Sequence, residues 1–288
     1  SIVVYAKKEK VKNLLIYDAV NKILNKNKIL APKLINQNYK NNYIEVEDFG
    51  DNTLYKLLRH NKTNKEFFFI KILKTLSRLQ LIKDKQVVNL NKQKYKVQKY
   101  EDKTLLNEAK LFSEWYAPTK INKFQIRKFK KGYENEVKKL LSKLNLKNDT
   151  FVHRDFHVSN LMYVKNNIAV IDSQDALIGN KAYDLASLVD DVRFETSNKL
   201  KNKILNNYFK KLKKTEINKF VNDFEILSVL RNLKIIGIFM RLALRDNKKK
   251  YVKMIPYAWE MINYRMKKNR EFVNLKLILK RNFPKFVK

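Results

Sequence analysis

Apolar residues recur at two different periods along the chain, and the places where the period changes divide it into elements. Residues 1–6 (Ser-Ile-Val-Val-Tyr-Ala) are mostly β-formers and predict a strand. Val11, Leu14, Leu15, Ala19, Val20, Ile23 and Leu24 recur at helical spacing, which predicts an amphipathic helix over 8–25. Two further strands are expected at 29–35 and 43–46 around a turn at 36–42. Beyond these the pattern becomes helical. Asp51 is placed to cap a helix over 52–59. The broad apolar face of 66–81 predicts a buried core helix, whereas the polar, Lys-rich 81–100 predicts a connecting loop. Helices are expected at 105–116 and 122–144, and again at 183–192, 198–212, 215–243, 249–267 and 271–281.

The stretch 151–184 interrupts the helical pattern. Apolar residues at 161–164 and 168–171, separated by Lys165-Asn166-Asn167, predict a hairpin of two buried strands, with Asn supplying the turn conformation. Its ends carry His153, Asp155, His157, Asn160, Asp172, Asp175 and Asp184. Asp155 precedes the first strand, Asn160 enters it and Asp172 leaves the second, so one hairpin can gather all three heads. A carboxylate and an amide oxygen facing a second carboxylate form the hard-oxygen set that suits magnesium, which takes its other ligands from water and phosphate. Phosphoryl transfer asks little more: charge neutralisation, and a carboxylate that orients the attacking hydroxyl. Asp155 is the expected base; Asn160 and Asp172 are the expected metal ligands.

His153-Arg154-Asp155-Phe156-His157-x-x-Asn160, followed by Ile171-Asp172-Ser173-Gln174-Asp175-Ala176, Gly179 and Tyr183-Asp184-Leu185-Ala186, resembles the aminoglycoside phosphotransferase and choline kinase superfamily. Within that superfamily the chain is most similar to the anomeric amino-sugar kinases of cell-wall recycling, which phosphorylate N-acetylmuramate and N-acetylglucosamine at C1. Supporting stretches are Val46-Glu47-Asp48-Phe49-Gly50-Asp51, Glu108-x-x-Leu111-Phe112-x-x-Trp115-Tyr116 and Arg231 to Leu242. The resemblance implies an α+β, two-lobed protein-kinase-like fold: a nucleotide-binding N-lobe over 1–50 and a mostly helical C-lobe over 51–288. It implies ATP and magnesium as cofactors, with Glu45, Val46, Glu47 and Asp48 as the hinge that holds adenine. It also implies a Gly-rich or Ser-containing hairpin before the first strand, which the chain lacks, so the N-lobe is expected to be incomplete. The phosphate-binding lysine is unassigned; Val4 is closest in register, with Lys7 and Lys8 just beyond. Asp48-Phe49-Gly50 spells the kinase metal loop but precedes the catalytic loop, whereas Asp172 follows it.

Several side chains keep two interpretations. His153 is expected to organise the loop and Asp184 to cap a helix or accept backbone N–H groups. His157 is divided between holding the loop and touching substrate, and Asp175 between the metal surroundings and a substrate hydroxyl. Glu108 and Trp115 are candidate substrate contacts set against core packing. Arg231, Arg241 and Arg245 can form an anion site or pair with Asp190, Asp191 or Asp246.

Composition narrows the partners. The chain has 288 residues, 44% of them hydrophobic, enough for a large core. It has no cysteine and three histidines, which excludes disulfides and thiolate chemistry and disfavours an imidazole metal cage. No apolar run approaches a membrane span or a secretory leader, and the expected location is cytoplasmic. The formal charge of +35 can serve nucleic acid or an anionic surface. Lys is spread over most segments, however, and the expectation is no specific nucleic-acid partner; the charge favours ATP and acidic substrates over polycations. The expected function is ATP-dependent phosphorylation of a small-molecule hydroxyl, C1 of an N-acetyl amino sugar. The alternatives are a choline, ethanolamine, homoserine or aminoglycoside acceptor, or a silent kinase-like binding module.

Overall fold

The computed structural model describes residues 1–7, 12–60, 63–267 and 269–287. In chain order the elements are β1 (Ile2–Tyr5), α1 (Lys12–Lys26), β2 (Leu34–Asn38), β3 (Tyr43–Val46), α2 (Leu54–Arg59), α3 (Lys65–Gln80), β4 (Gln86–Val88) and β5 (Lys94–Lys96). Next come α4 (Asp102–Leu111), a π-helical turn at Phe112–Tyr116, α5 (Lys123–Ser142), β6 (Asn148–Val152), β7 (Leu161–Val164), β8 (Asn167–Val170) and β9 (Leu177–Asn180). The rest is α6 (Ala182–Val189), α7 (Asn198–Phe209), α8 (Lys214–Leu244), α9 (Ile255–Met266) and α10 (Val273–Asn282). The content is α+β, as expected. Residues 8–11 of the expected first helix lie outside the described residues.

Contacts gather the chain into two compact units. The first comprises Ser1–Lys99, Lys147–Leu188 and Asn198–Lys211; the second Tyr100–Leu146, Val189–Ser197 and Leu212–Lys288. The hinge expected at 45–48 lies inside the first unit.

In the first unit β1, β3 and β2 form an antiparallel sheet with β3 at its centre. Leu14 of α1 packs on Ile44 and Val46, and Val4, Tyr17 and Leu34 close over them. The second strand begins later than 29–35, at Leu34. Pro32 explains the shift, since it lacks a backbone donor and restrains the residue before it. Leu30 instead docks on the other hairpin, where its carbonyl accepts the Val170 N–H at 2.8 Å. The β7–β8 hairpin turns at Lys165 and Asn166, with φ of 45° and 65°. This is the two-residue left-handed turn that matches strand twist, so β8 starts at Asn167. The cap of α2 is Thr53, whose hydroxyl accepts the Lys56 N–H, and not Asp51, which is exposed. The expected loop over 81–100 contains the short β4–β5 hairpin, organised by Asn89, whose amide oxygen accepts the N–H groups of Asn91 and Gln93.

In the second unit α8 packs against α4, the π turn and α9. Gly237 makes the close approach possible: a Cβ there would stand 2.3 Å from the Leu111 carbonyl carbon and 2.5 Å from the Phe112 nitrogen. The π turn begins at that contact. Around it Phe112, Tyr116, Phe129, Tyr133, Trp259 and Phe283 form an aromatic core with ring separations of 5.3 to 6.3 Å. Such contacts add to the area these rings remove from water. Buried Asp223 of α8 accepts the N–H groups of Asn145 and Leu146 at 2.8 Å and fixes the chain just past α5.

Candidate active site

The site belongs to the first unit and is built on the paired strands β6 and β9 and the β7–β8 hairpin. β6 runs buried through Phe151 and Val152 and delivers His153 into the interior. There the chain turns sharply, with Arg154 at φ 73°, an unfavourable region for a residue bearing Cβ. Asp184, buried near the start of α6, holds this turn. Its two oxygens accept the backbone N–H groups of His153 at 2.7 Å and Arg154 at 2.9 Å. Charge-assisted bonds from backbone donors are the strong kind and offset the strain.

The next residues fold onto themselves. The Asp155 carbonyl accepts the His157 N–H at 3.0 Å and the Asn160 Nδ2 at 3.1 Å, and the His157 carbonyl accepts the Asn160 N–H at 2.9 Å. Asn160 lies 3.5 Å, Nδ2 to Oδ2, from Asp172. The Ile171 N–H donates to the Asn160 carbonyl at 3.1 Å, so the hairpin locks Asn160 and Asp172 side by side. Asp172 has φ 60°, a conformation Asp tolerates better than most residues, and Gln174 Nε2 donates to its Oδ1 at 2.8 Å.

Behind these, His153 Nε2 lies 3.1 Å from the Ile171 carbonyl. A carbonyl can only accept, so Nε2 carries the proton. Burial pushes the imidazole below its ordinary range, against the pull of the Asp155 and Asp172 carboxylates. Nδ1 is buried without a hydrogen-bond partner among the described residues, which suits the neutral ring. Ser173, fully buried, donates to Asn21 Oδ1 on α1 at 2.6 Å, and Asn21 Nδ2 donates to the Pro32 carbonyl at 3.0 Å. Helix α1 is thereby tied to the residue after Asp172.

Asn160 and Asp172 line a cleft of about 750 Å³, together with Ile2, Val4, Val46, Phe49 and Met162 on its apolar walls. This volume and lining suit a small-molecule ligand. Lys7 and Lys56 bring cations to the same cleft. Of the hinge residues, Val46 and Glu47 line it, whereas Glu45 and Asp48 do not. Glu45 accepts from Ser1 Oγ, Asp48 Oδ1 accepts the Gly50 N–H at 2.7 Å, and the Glu47 N–H is already given to the Lys33 carbonyl at 2.9 Å. Val4 lines the cleft from β1, and Lys8 lies outside the described residues.

The other sequence candidates are placed as follows. Asp175 is exposed, and Arg154 engages it: Nη1 donates to its carbonyl at 3.0 Å and lies 3.8 Å from its carboxylate. His157 is buried and its backbone brackets the turn between Asp155 and Asn160. Glu108, Trp115 and Arg241 belong to the second unit. Glu108 is engaged by Lys234 at 2.8 Å and by the Tyr100 hydroxyl; Trp115 and Arg241 are half-buried. Among the described residues, no three His, Cys, Asp or Glu side chains are grouped to hold a metal alone. Asn160 with Asp172 can hold one if phosphate and water complete the shell, which is how magnesium binds nucleotides. Sequence reasoning missed Asn21, Ser173 and Lys56. Asn21 carried a signal, a polar residue on the apolar face of α1; Lys56 carried none among so many lysines.

The fold is that of the kinase-like phosphotransferases. The chain belongs to the phosphotransferase enzyme family, which residues 6–216 match. It is 34% identical over 182 residues to an N-acetylmuramate/N-acetylglucosamine kinase of Neisseria meningitidis, covering 61% of this chain and 54% of that protein. It is 26% identical over 255 residues to the kinase of the same name from Pseudomonas aeruginosa, covering 85% and 71%. The chain thus spans about half the length of the Neisseria relative and more of the Pseudomonas one. Among solved structures, the gentamicin complex of the aminoglycoside phosphotransferase APH(2")-IIa has a TM-score of 0.62 at 14% identity, covering 90% of this chain and 86% of that one. A ternary complex of the same enzyme contains streptomycin and ATP, with a TM-score of 0.55 at 15% identity over 86% and 84%. Among the described residues, no helix is long and apolar enough to cross a membrane.

Proposed function

We propose that the chain transfers the γ-phosphoryl group of ATP to the C1 hydroxyl of an N-acetyl amino sugar. The observation that carries this is the pairing of Asn160 with Asp172 on the wall of the cleft, with the Asp155 carbonyl holding the Asn160 amide in place. The names of the curated relatives support the acceptor, and the ATP complex of a fold neighbour supports the nucleotide.

In this reaction the bond between the γ-phosphorus and the β,γ-bridging oxygen breaks and leaves ADP, while a new bond forms from phosphorus to the acceptor oxygen. Asp155 orients the acceptor hydroxyl and takes its proton, a role that a hemiacetal hydroxyl, more acidic than an ordinary alcohol, makes easier. Asn160 and Asp172 would hold magnesium through their side-chain oxygens, and the ion would supply charge neutralisation at the phosphates. Lys7 and Lys56 add positive charge along the cleft, and Asp184 and His153 hold the loop in register. With the Glu47 N–H given to Lys33 and the Gly50 N–H to Asp48, a base would find its backbone partners beside Phe49 and Asp51.

The test is magnesium-dependent ADP release with N-acetylmuramate, N-acetylglucosamine, choline, homoserine and kanamycin. Turnover of an amino sugar is expected, and Asp155→Asn should lower kcat by about 10²- to 10⁴-fold. Turnover confined to a different acceptor, or none with folded protein, would overturn the assignment.

A further inference from the structure

Helix α5 of the second unit turns an apolar side inward and a basic side out. Phe129, Tyr133, Val137 and Leu140 are buried. On the opposite side Phe124, Arg127, Lys128, Lys131, Asn135 and Lys138 recur at spacings of three and four, and all are exposed. Phe124 is 96% exposed, more than any other large hydrophobic side chain among the described residues. It stands in the first turn of the helix, which starts without its help: Asn122 Oδ1 caps that turn by accepting the Gln125 N–H at 2.9 Å.

Helix α10 lies antiparallel beside α5. At one end the Phe129 and Phe283 rings are 5.5 Å apart; at the other, Lys143 Nζ lies 3.9 Å from Glu271, just before α10. Near that second end Lys139 and Lys143 border one cavity with Val273 and Asn274. α10 buries Leu275 and Leu279 and exposes Val273 (56%), Leu277 (63%), Lys280 and Arg281. Both helices rest on the aromatic core around Phe112, so their outer sides turn the same way. Acid is nearly missing from this face. α10 has no acidic residue; of the two on α5, Glu136 is buried and Glu134 is bridged by Lys110 at 3.1 Å and Lys138 at 2.9 Å.

Cations interspersed with protruding apolar side chains suit a surface that presents phosphates in a plane with hydrocarbon just beneath. Nucleic acid fits this face less well, because its bases stack on aromatic rings and Val273 and Leu277 have none. We propose that the outer face of α5 and α10 docks on an anionic lipid bilayer. Arg127, Lys128, Lys131, Lys280 and Arg281 meet the lipid phosphates, while Phe124, Val273 and Leu277 enter between the headgroups. This docking is independent of the phosphoryl transfer proposed above.

Co-sedimentation of the full chain with vesicles tests the docking. Binding is expected to mixed phosphatidylglycerol and phosphatidylcholine vesicles, and not to phosphatidylcholine alone. Lys128→Gln combined with Lys131→Gln should lower the partition coefficient at least about tenfold. Phe124→Ser and Leu277→Ser should each lower it severalfold, an effect that persists when salt screens the charges. The chain is basic throughout, so a second pair serves as the control: Lys94→Gln with Lys96→Gln removes the same charge from the exposed β5 strand of the first unit. It should change the coefficient by less than about twofold. All these side chains are exposed, and their replacement leaves the fold intact. No binding by the wild type, equal losses from the two lysine pairs, or unchanged binding by both serine variants would overturn the proposal. Tighter binding to single-stranded RNA than to the anionic vesicles at the same salt would overturn it too, and assign the face to nucleic acid.

Discussion

The Asp184 carboxylate accepts the backbone N–H of His153 at 2.7 Å from a position 1% exposed, and its second oxygen takes the next N–H, that of Arg154. One buried side chain thereby fixes the turn that precedes Asp155. Removing its charge weakens two strong bonds at once, and Asp184→Asn is expected to cost about 3 kcal/mol. The urea midpoint should fall with an unchanged slope, and phosphoryl transfer should be lost with it. Asp155→Asn, at a half-buried position, should lower kcat by the same about 10²- to 10⁴-fold while moving the midpoint little. Equal loss of stability in the two variants would remove the distinction between a residue that holds the loop and one that does the chemistry.

His153 links that loop to the strand carrying Asp172, and its environment gives stability a pH dependence. Burial lowers the imidazole pKa in the folded state below its ordinary value of 6.5. Below about pH 6.5 the unfolded chain therefore binds a proton that the folded chain refuses. The contribution of this group is complete above that pH and is lost progressively as the pH falls toward the folded-state value. Unfolding free energies measured between pH 5 and 8 should decline on the acid side, and His153→Gln, which keeps a donor for the Ile171 carbonyl, should flatten that decline. An identical pH profile in the variant would show that other groups account for it.

The hairpin that carries the candidate site was legible in the sequence because its geometry is local. Asp155, Asn160 and Asp172 lie at the ends of one hairpin, and the Asn-rich turn between the strands sets its register. What the sequence concealed depends on partners distant in the chain. Pro32 delays the strand expected at 29–35, but the pairing of Leu30 with β8 that takes its place is a choice no local pattern reveals. The antiparallel pairing of β6 with β9, which places His153, joins residues some thirty apart. The π turn at Phe112–Tyr116 exists where Gly237 reaches it, so its cause is a contact and not a propensity. Asp51 and Thr53 are both good caps, and only the backbone decides between them. That Lys234 stands beside Glu108 is likewise a matter of the fold, since the two are far apart in the chain.

Gly237 gives a sharp test of that contact. A methyl group at this position would stand within 2.5 Å of Leu111 and Phe112 backbone atoms, which cannot swing aside as a side chain can. Gly237→Ala, favourable by helix propensity alone at about 1 kcal/mol, is expected to destabilise by several kcal/mol instead. The melting temperature should drop accordingly. A neutral or raised melting temperature would show that α8 and the π turn can separate at little cost.

The pair Arg265–Asp190 makes a prediction with an asymmetry. Arg265 donates twice to Asp190, Ser228 donates a third bond, and the guanidinium lies 4.7 Å from the Phe224 ring centre and 4.9 Å from that of Tyr264. Both charges are buried, so removing one leaves the other without compensation, at about 3–5 kcal/mol. Arg265→Met keeps much of the packing against the rings but strands the carboxylate, and should be strongly destabilising. Asp190→Asn in the same background removes that stranded charge and should restore part of the loss. The double-mutant cycle, read from denaturant midpoints, should therefore show a coupling of at least about 1 kcal/mol. Simple additivity would mean that the pair is held by its neighbours and contributes little as an ion pair.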